Sequence, residues 1–95
     1  MPAYVIADVD IDDPDTYKEY TAGVPASLAP YGGRFVVRGG AYEVLEGAWE
    51  PGRVVVIEFP DRDAALGWWN SDDYTELVKI RRSASTARIL VVDGV

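Results

Sequence analysis

A chain of 95 residues, almost half of them apolar, folds as one domain with a modest core, burying about 60 to 70% of the surface that the unfolded chain exposes. Sixteen acidic residues against nine basic ones leave a net charge of −7, which repels nucleic-acid phosphates and anionic membrane surfaces, so neither is expected as a partner. Cysteine and histidine are both absent, which excludes disulfides, thiolate chemistry, the commonest metal ligand and the commonest general base, and leaves carboxylates, Tyr, Lys and Arg for any chemistry.

The first element is a strand: from Ala3 to Ile11 the odd positions are apolar while the even ones turn acidic at Asp8 and Asp10. No basic leader and no apolar run near the roughly 20 residues of a membrane span occurs, so a soluble, cytoplasmic protein is expected. Asp13-Pro14 starts a helix, with Asp13 as cap, Pro14 at the first helical position and Asp15 at the positive end of the dipole. Tyr17, Tyr20, Val24, Leu28 and Tyr31 form its inward stripe, and Gly23 and Pro25 are expected to kink or divide it. Asp8, Asp10, Asp12 and Glu19 stand at positions one, three, five and twelve of a calcium loop. The sixth, which takes glycine, is Asp13, and the strand pattern runs through the first half, so no metal is expected.

Gly32-Gly33 ends the helix. Arg34 to Leu45 then reads as a second, polar-bearing edge strand, in which Gly39-Gly40 marks a bulge or a close approach by backbone or ligand; a bulge there leaves open which face holds Tyr42. Gly47 to Gly52 reads as a hairpin turn and Arg53 to Phe59 as a central strand, its run Val54 to Ile57 suggesting cover on both faces. Asp61 caps a second helix with Ala64, Ala65, Trp68 and Trp69 on its apolar side. After an interruption at Asn70, Ser71 caps a further segment that carries Tyr74, Leu77, Val78 and Arg81 on one side. A last strand covers Ala87 to Val92.

Two right-handed crossovers joined by a hairpin give an α+β, ferredoxin-like βαββαβ sandwich: a four-stranded antiparallel sheet with its helices on one face, and the first and third strands expected to be central and parallel to each other. The other face needs a cover, and a second copy of the chain, giving a homodimer, is the simplest one.

Arg38, on an edge strand beside two glycines, is the first candidate for chemistry, since a guanidinium there can bind a carboxylate or enolate through paired hydrogen bonds; its ordinary role is an ion pair with Glu58 or Glu43. Glu58 and Glu46 are the candidate bases, if burial raises their pKa. Tyr17, Tyr20, Tyr42, Trp49, Trp69 and Tyr74 are candidates for the wall of a substrate pocket, although each ring alone fits core or interface equally. Arg81 either helps Arg38 hold an anion or complements the end of its helix.

The set YxxY (Tyr17, Tyr20), YGGRF (Tyr31 to Phe35), RGG (Arg38 to Gly40), EVLEG-x-W (Glu43 to Trp49), VVIEFP (Val55 to Pro60), AALGWWNSDDY (Ala64 to Tyr74) and Arg81 resembles the domain of unknown function 1330 family over nearly the whole chain. The resemblance implies the dimeric α+β barrel superfamily, in which two ferredoxin-like subunits pack sheet against sheet. Some of its members are monooxygenases or isomerases that need no cofactor, so none is expected here. Two functions follow as expectations: a homodimer that binds, and as an enzyme transforms, a small acidic, enolisable or aromatic compound; or a non-catalytic binding or assembly domain whose rings serve packing alone.

Overall fold

The protein is described from a computed structural model covering residues 1–95. Strand β1 (Ala3–Ile11) buries Ala3, Val5, Ala7 and Val9 and turns Tyr4, Ile6 and Asp8 the other way, as its alternation predicts. Together with β2 (Arg34–Arg38), β3 (Arg53–Phe59) and β4 (Ser85–Asp93) it makes one sheet in the order β2-β3-β1-β4. β1 and β3 are central but antiparallel, with Val5 opposite Ile57, which corrects the expected parallel pair. Each crossover returns the chain parallel to the strand it left, so reversal between β2 and β3 makes every neighbouring pair antiparallel.

Helix α1 (Pro14–Leu28) starts where Asp13 accepts hydrogen bonds from the Thr16 N–H at 3.2 Å and the Thr16 hydroxyl at 2.7 Å. Gly23 and Pro25 do not divide it. Gly23 lies against the last helix, where a β-carbon would stand 2.6 Å from Leu77 Cδ2, so glycine is the residue that lets the two helices touch. Pro25 has no N–H to give the Thr21 carbonyl one turn back, and that oxygen instead accepts from Arg38 Nη2 at 3.3 Å. A 3-10 turn (Ala29–Tyr31) follows and ends at Gly32, φ 68°.

β2 is shorter than expected. Its bulge falls between Phe35 and Val37, before the glycine pair, and the chain leaves the sheet at Gly39, φ 69°. Residues 39–52 form an irregular connection in place of a long strand and tight hairpin turn. It is tied down at its far end, where Asp8 accepts the Gly52 N–H at 2.7 Å and Trp49 Nε1 at 3.4 Å. Helices α2 (Arg62–Trp69) and α3 (Asp72–Ala84) begin at the predicted caps: Asp61 accepts from Ala64 N at 2.8 Å and Ser71 from Tyr74 N at 3.2 Å.

All helices lie on one face. There Val5, Ala7, Val9, Val55, Ile57 and Phe59 of the sheet meet Tyr17, Tyr20, Val24, Leu28, Trp68, Tyr74 and Val78 in one core. Trp68 sits near its centre, against Phe59 and Tyr74, with its Nε1 donating to Ser27 Oγ at 3.0 Å. On the opposite face strand register lines up Val37, Val56, Ile6 and Leu90 in a row across the sheet, with Val92 beside it. Leu90 and Val92 are 55% and 44% exposed in the single chain, so the both-faced cover expected for β3 is supplied by the chain itself on one side only.

Candidate arginine-lined cavity

Inward alternation along β3 runs Phe59, Ile57, Val55, Arg53, so the first residue of that set carries a charge into the helix-covered layer. Gly39 makes room for it: a β-carbon there would stand 2.8 Å from Arg53 Nη1, which is the close approach that the glycine pair foreshadowed. The bulge in β2 turns Arg38 to the same side, where its guanidinium lies 4.2 Å from the centre of the Phe35 ring. Arg81 enters from α3 and is only 5% exposed. These three arginines, with Tyr17, Tyr20 and Tyr74, line one cavity of about 30 Å³ between the sheet, α1 and α3, the rest of which is mainly aliphatic.

No aspartate or glutamate lines this cavity. The chain's ion pairs engage Arg34, Arg62, Lys79 and Arg88, and none of the three cavity arginines. The Nε atoms of Arg53 and Arg81 are buried with no hydrogen-bond acceptor. The hydroxyls of Tyr20 and Tyr74 bond each other at 2.9 Å, which uses one of their two protons and leaves the other to donate. Burial pushes the Tyr20 hydroxyl far above its ordinary pKa, and burial raises Tyr17 as well, against the pull of Arg53 and Arg81. Both phenols are therefore neutral donors at physiological pH. The cavity wall offers positive charge and neutral hydroxyls, and no anionic acceptor.

Of the residues expected to form a site, Arg38, Arg81, Tyr17, Tyr20 and Tyr74 come together here. The others do not join them. Glu58 lies on the opposite sheet face, bonded to Arg34 Nε at 2.9 Å and to the Tyr4 hydroxyl at 3.0 Å, and these bonds, Arg34's first, hold its carboxyl below the usual range. These bonds outweigh the raising effect of burial, so Glu58 lacks the raised pKa that a base would need. Arg38 is paired with neither Glu58 nor Glu43. Tyr42 and Trp49 sit exposed in the connection 39–52, as does Glu46, with the Tyr42 hydroxyl donating to the Pro51 carbonyl. Trp69 meets Trp68 edge-on and Tyr74 at a tilt but lines a separate cavity of about 250 Å³ with Leu66, Leu90 and Val91. Sequence reasoning missed Arg53, although counting back by twos from Phe59 finds it.

The fold is shared with solved structures of low sequence identity. RPA0582, a protein of unknown function from Rhodopseudomonas palustris, is 21% identical, with a TM-score of 0.79 over 99% of this chain and 82% of that one. SnoaB, a cofactor-independent oxygenase from Streptomyces nogalater, is 17% identical, with a TM-score of 0.68 over 99% and 93%. A dimeric ferredoxin-like protein of unknown function from Jannaschia sp. CCS1 is 11% identical, with a TM-score of 0.73 over 99% and 100%. No curated protein matches the chain. The family model named "Domain of unknown function (DUF1330)" matches residues 2–95, and the chain belongs to that family.

Proposed function

We propose that this protein is a homodimer that binds a small acidic or enolisable organic compound, as its anion, in the cavity between sheet and helices. The observation that carries the reading is the charge imbalance of the wall: three arginines, two of them with a buried N–H left without an acceptor, and no carboxylate. Buried cations without partners are costly, and a ligand that brings negative oxygen atoms removes the cost. Arg38, exposed at the edge of the cavity, draws the anion in, and the rings of the wall exclude water.

Such a site stabilises charge on a carboxylate or an enolate, and it does so with preorganised donors in a poorly hydrated space. It offers no ready base, because its phenols are neutral and Glu58 lies across the sheet. The compound therefore arrives ionised. In an enzyme of this design the arginines hold the anion through the reaction; SnoaB, of the same fold, is a cofactor-independent oxygenase.

The exposed row Val37, Val56, Ile6 and Leu90 supports the dimer, since a second sheet laid against it removes the apolar surface from water. A protein of similar fold is described as dimeric. Sedimentation at micromolar concentration should show a dimer, and Leu90→Lys a monomer. A thermal-shift screen of small carboxylates and phenols should give hits that Arg38→Ala weakens. A silent screen from a sedimenting dimer would replace this reading with that of an assembly domain.

A further inference from the structure

We infer that Arg53 and Arg81 form a buried acid-head pocket that selects small monocarboxylates with an apolar body and rejects amines and amino acids. The inference deepens the anion-binding reading above and rests on it. Its first support is the donor inventory. The deep wall presents Arg53 Nε and Arg81 Nε, both buried and unpartnered, and one tyrosine hydroxyl proton left over from the Tyr20–Tyr74 pair. A carboxylate has only acceptor oxygens, with lone pairs enough for each of these donors.

The second support is what the wall lacks. An ammonium group placed beside a carboxylate head would lie among guanidiniums with no carboxylate to receive its protons. It would be repelled, with only neutral hydroxyls to take its protons, so a zwitterionic amino acid is discriminated against although it carries the same acid group. The third is the apolar remainder of the cavity, where Val24, Val55, Ile57 and Ile89 suit a hydrocarbon body and offer no partner to a second polar group.

Depth sets the orientation. Arg81 is the most enclosed of the three and Arg38 is exposed at the mouth, so the acid head points inward and the body lies toward Arg38 and Phe35. A void of about 30 Å³ holds about one water and no organic acid, so entry requires a side chain to move. Arg38 is the one free to do so, held by a single 3.3 Å hydrogen bond and by the face of Phe35. Arg53 is thereby a ligand-binding residue, and Gly39 is the backbone position that makes room for it.

Isothermal titration of the intact protein with phenylacetate, phenylalanine and phenethylamine tests this. Phenylacetate should bind about tenfold or more tightly than either amine-bearing compound. Arg53→Met and Arg81→Met should each weaken phenylacetate about 10- to 100-fold, the range expected for one charge-assisted contact, and Arg53→Lys should recover part of the loss. If a methionine variant fails to fold, the three-ligand comparison on wild type decides alone. Equal affinity for phenylalanine, or a folded Arg53→Met with undiminished phenylacetate binding, overturns the head pocket. Acids that bind and depend on Arg38 but are indifferent to Arg53 and Arg81 overturn only this assignment. No binding of any carboxylate overturns the anion-binding reading with it.

Discussion

Replacing Arg81 by methionine should make the unliganded protein more stable while weakening its affinity for acids about 10- to 100-fold. The side chain is 5% exposed, its Nε has no acceptor, and it belongs to no ion pair. An unsatisfied buried donor costs about 1–3 kcal/mol, and more when it is charged. Methionine keeps most of the apolar stem that packs against the core, so little burial is lost in exchange. A net gain of about 1–2 kcal/mol follows, and at about 4–8 °C per kcal/mol for a domain of this size the melting temperature should rise by roughly 5–15 °C.

Urea denaturation read by tryptophan fluorescence measures the change, provided the slope with denaturant is the same in both proteins. Ligand should erase or reverse the difference: phenylacetate at a hundred times its wild-type Kd adds about 2.7 kcal/mol to wild type and only about 0.4–1.4 kcal/mol to a variant that binds 100- to 10-fold more weakly. A folded Arg81→Met that is less stable than wild type by about 1 kcal/mol or more would show that the guanidinium is part of the scaffold, and would refute the reasoning from unmet donors.

Gly52→Ala should be among the worst substitutions in the chain, because its β-carbon would stand 2.3 Å from the Val9 carbonyl oxygen; a loss of about 2–3 kcal/mol or more is expected in the same melts. Gly40→Ala, with nothing within 4 Å of the new carbon, should stay within about 0.5 kcal/mol of wild type. Acid should destabilise the protein through Asp8, whose pKa is lowered first by the Gly52 N–H and then by Arg88 and Trp49. A carboxyl with a lowered folded pKa contributes fully above its unfolded value of about 4, and the contribution is lost as pH falls below that value. Urea melts between pH 7 and pH 3 should therefore show a loss that Asp8→Asn reduces; equal slopes in the two proteins would count against the Asp8 bonds.

The helix starts were readable because capping is local: Asp13, Asp61 and Ser71 each bond the backbone three residues on, and no distant contact can alter that spacing. Helix α1 passing through Pro25 was not readable, since the carbonyl that Pro25 leaves free is served by Arg38 from another element. The same distance in sequence hid the site. Arg34 and Arg38 are an even number of residues apart, and simple alternation puts both on the face of Glu58. One residue of bulge near Val36 moves Arg38 to the helix side and leaves Arg34 to pair with Glu58. Composition gives no sign of that residue. Val44 and Leu45 likewise look like strand, and what removes them from the sheet is the positive φ of Gly39.

The sign of the whole charge and the sign of the cavity are opposed, and this bears on what can bind. A net charge of −7 repels an approaching anion, but the repulsion between solvated charges is screened over about 8–10 Å at ordinary salt. Inside the cavity Arg53 and Arg81 act at contact distance in a space with little water, where screening is weak. The long-range term grows with each unit of ligand charge, whereas the local gain is limited by the few donors the wall can aim at one head group. A polyanion is opposed more strongly on approach and finds too few donors at the end of it. A single carboxylate on an apolar body meets the least repulsion outside and the fullest set of partners within.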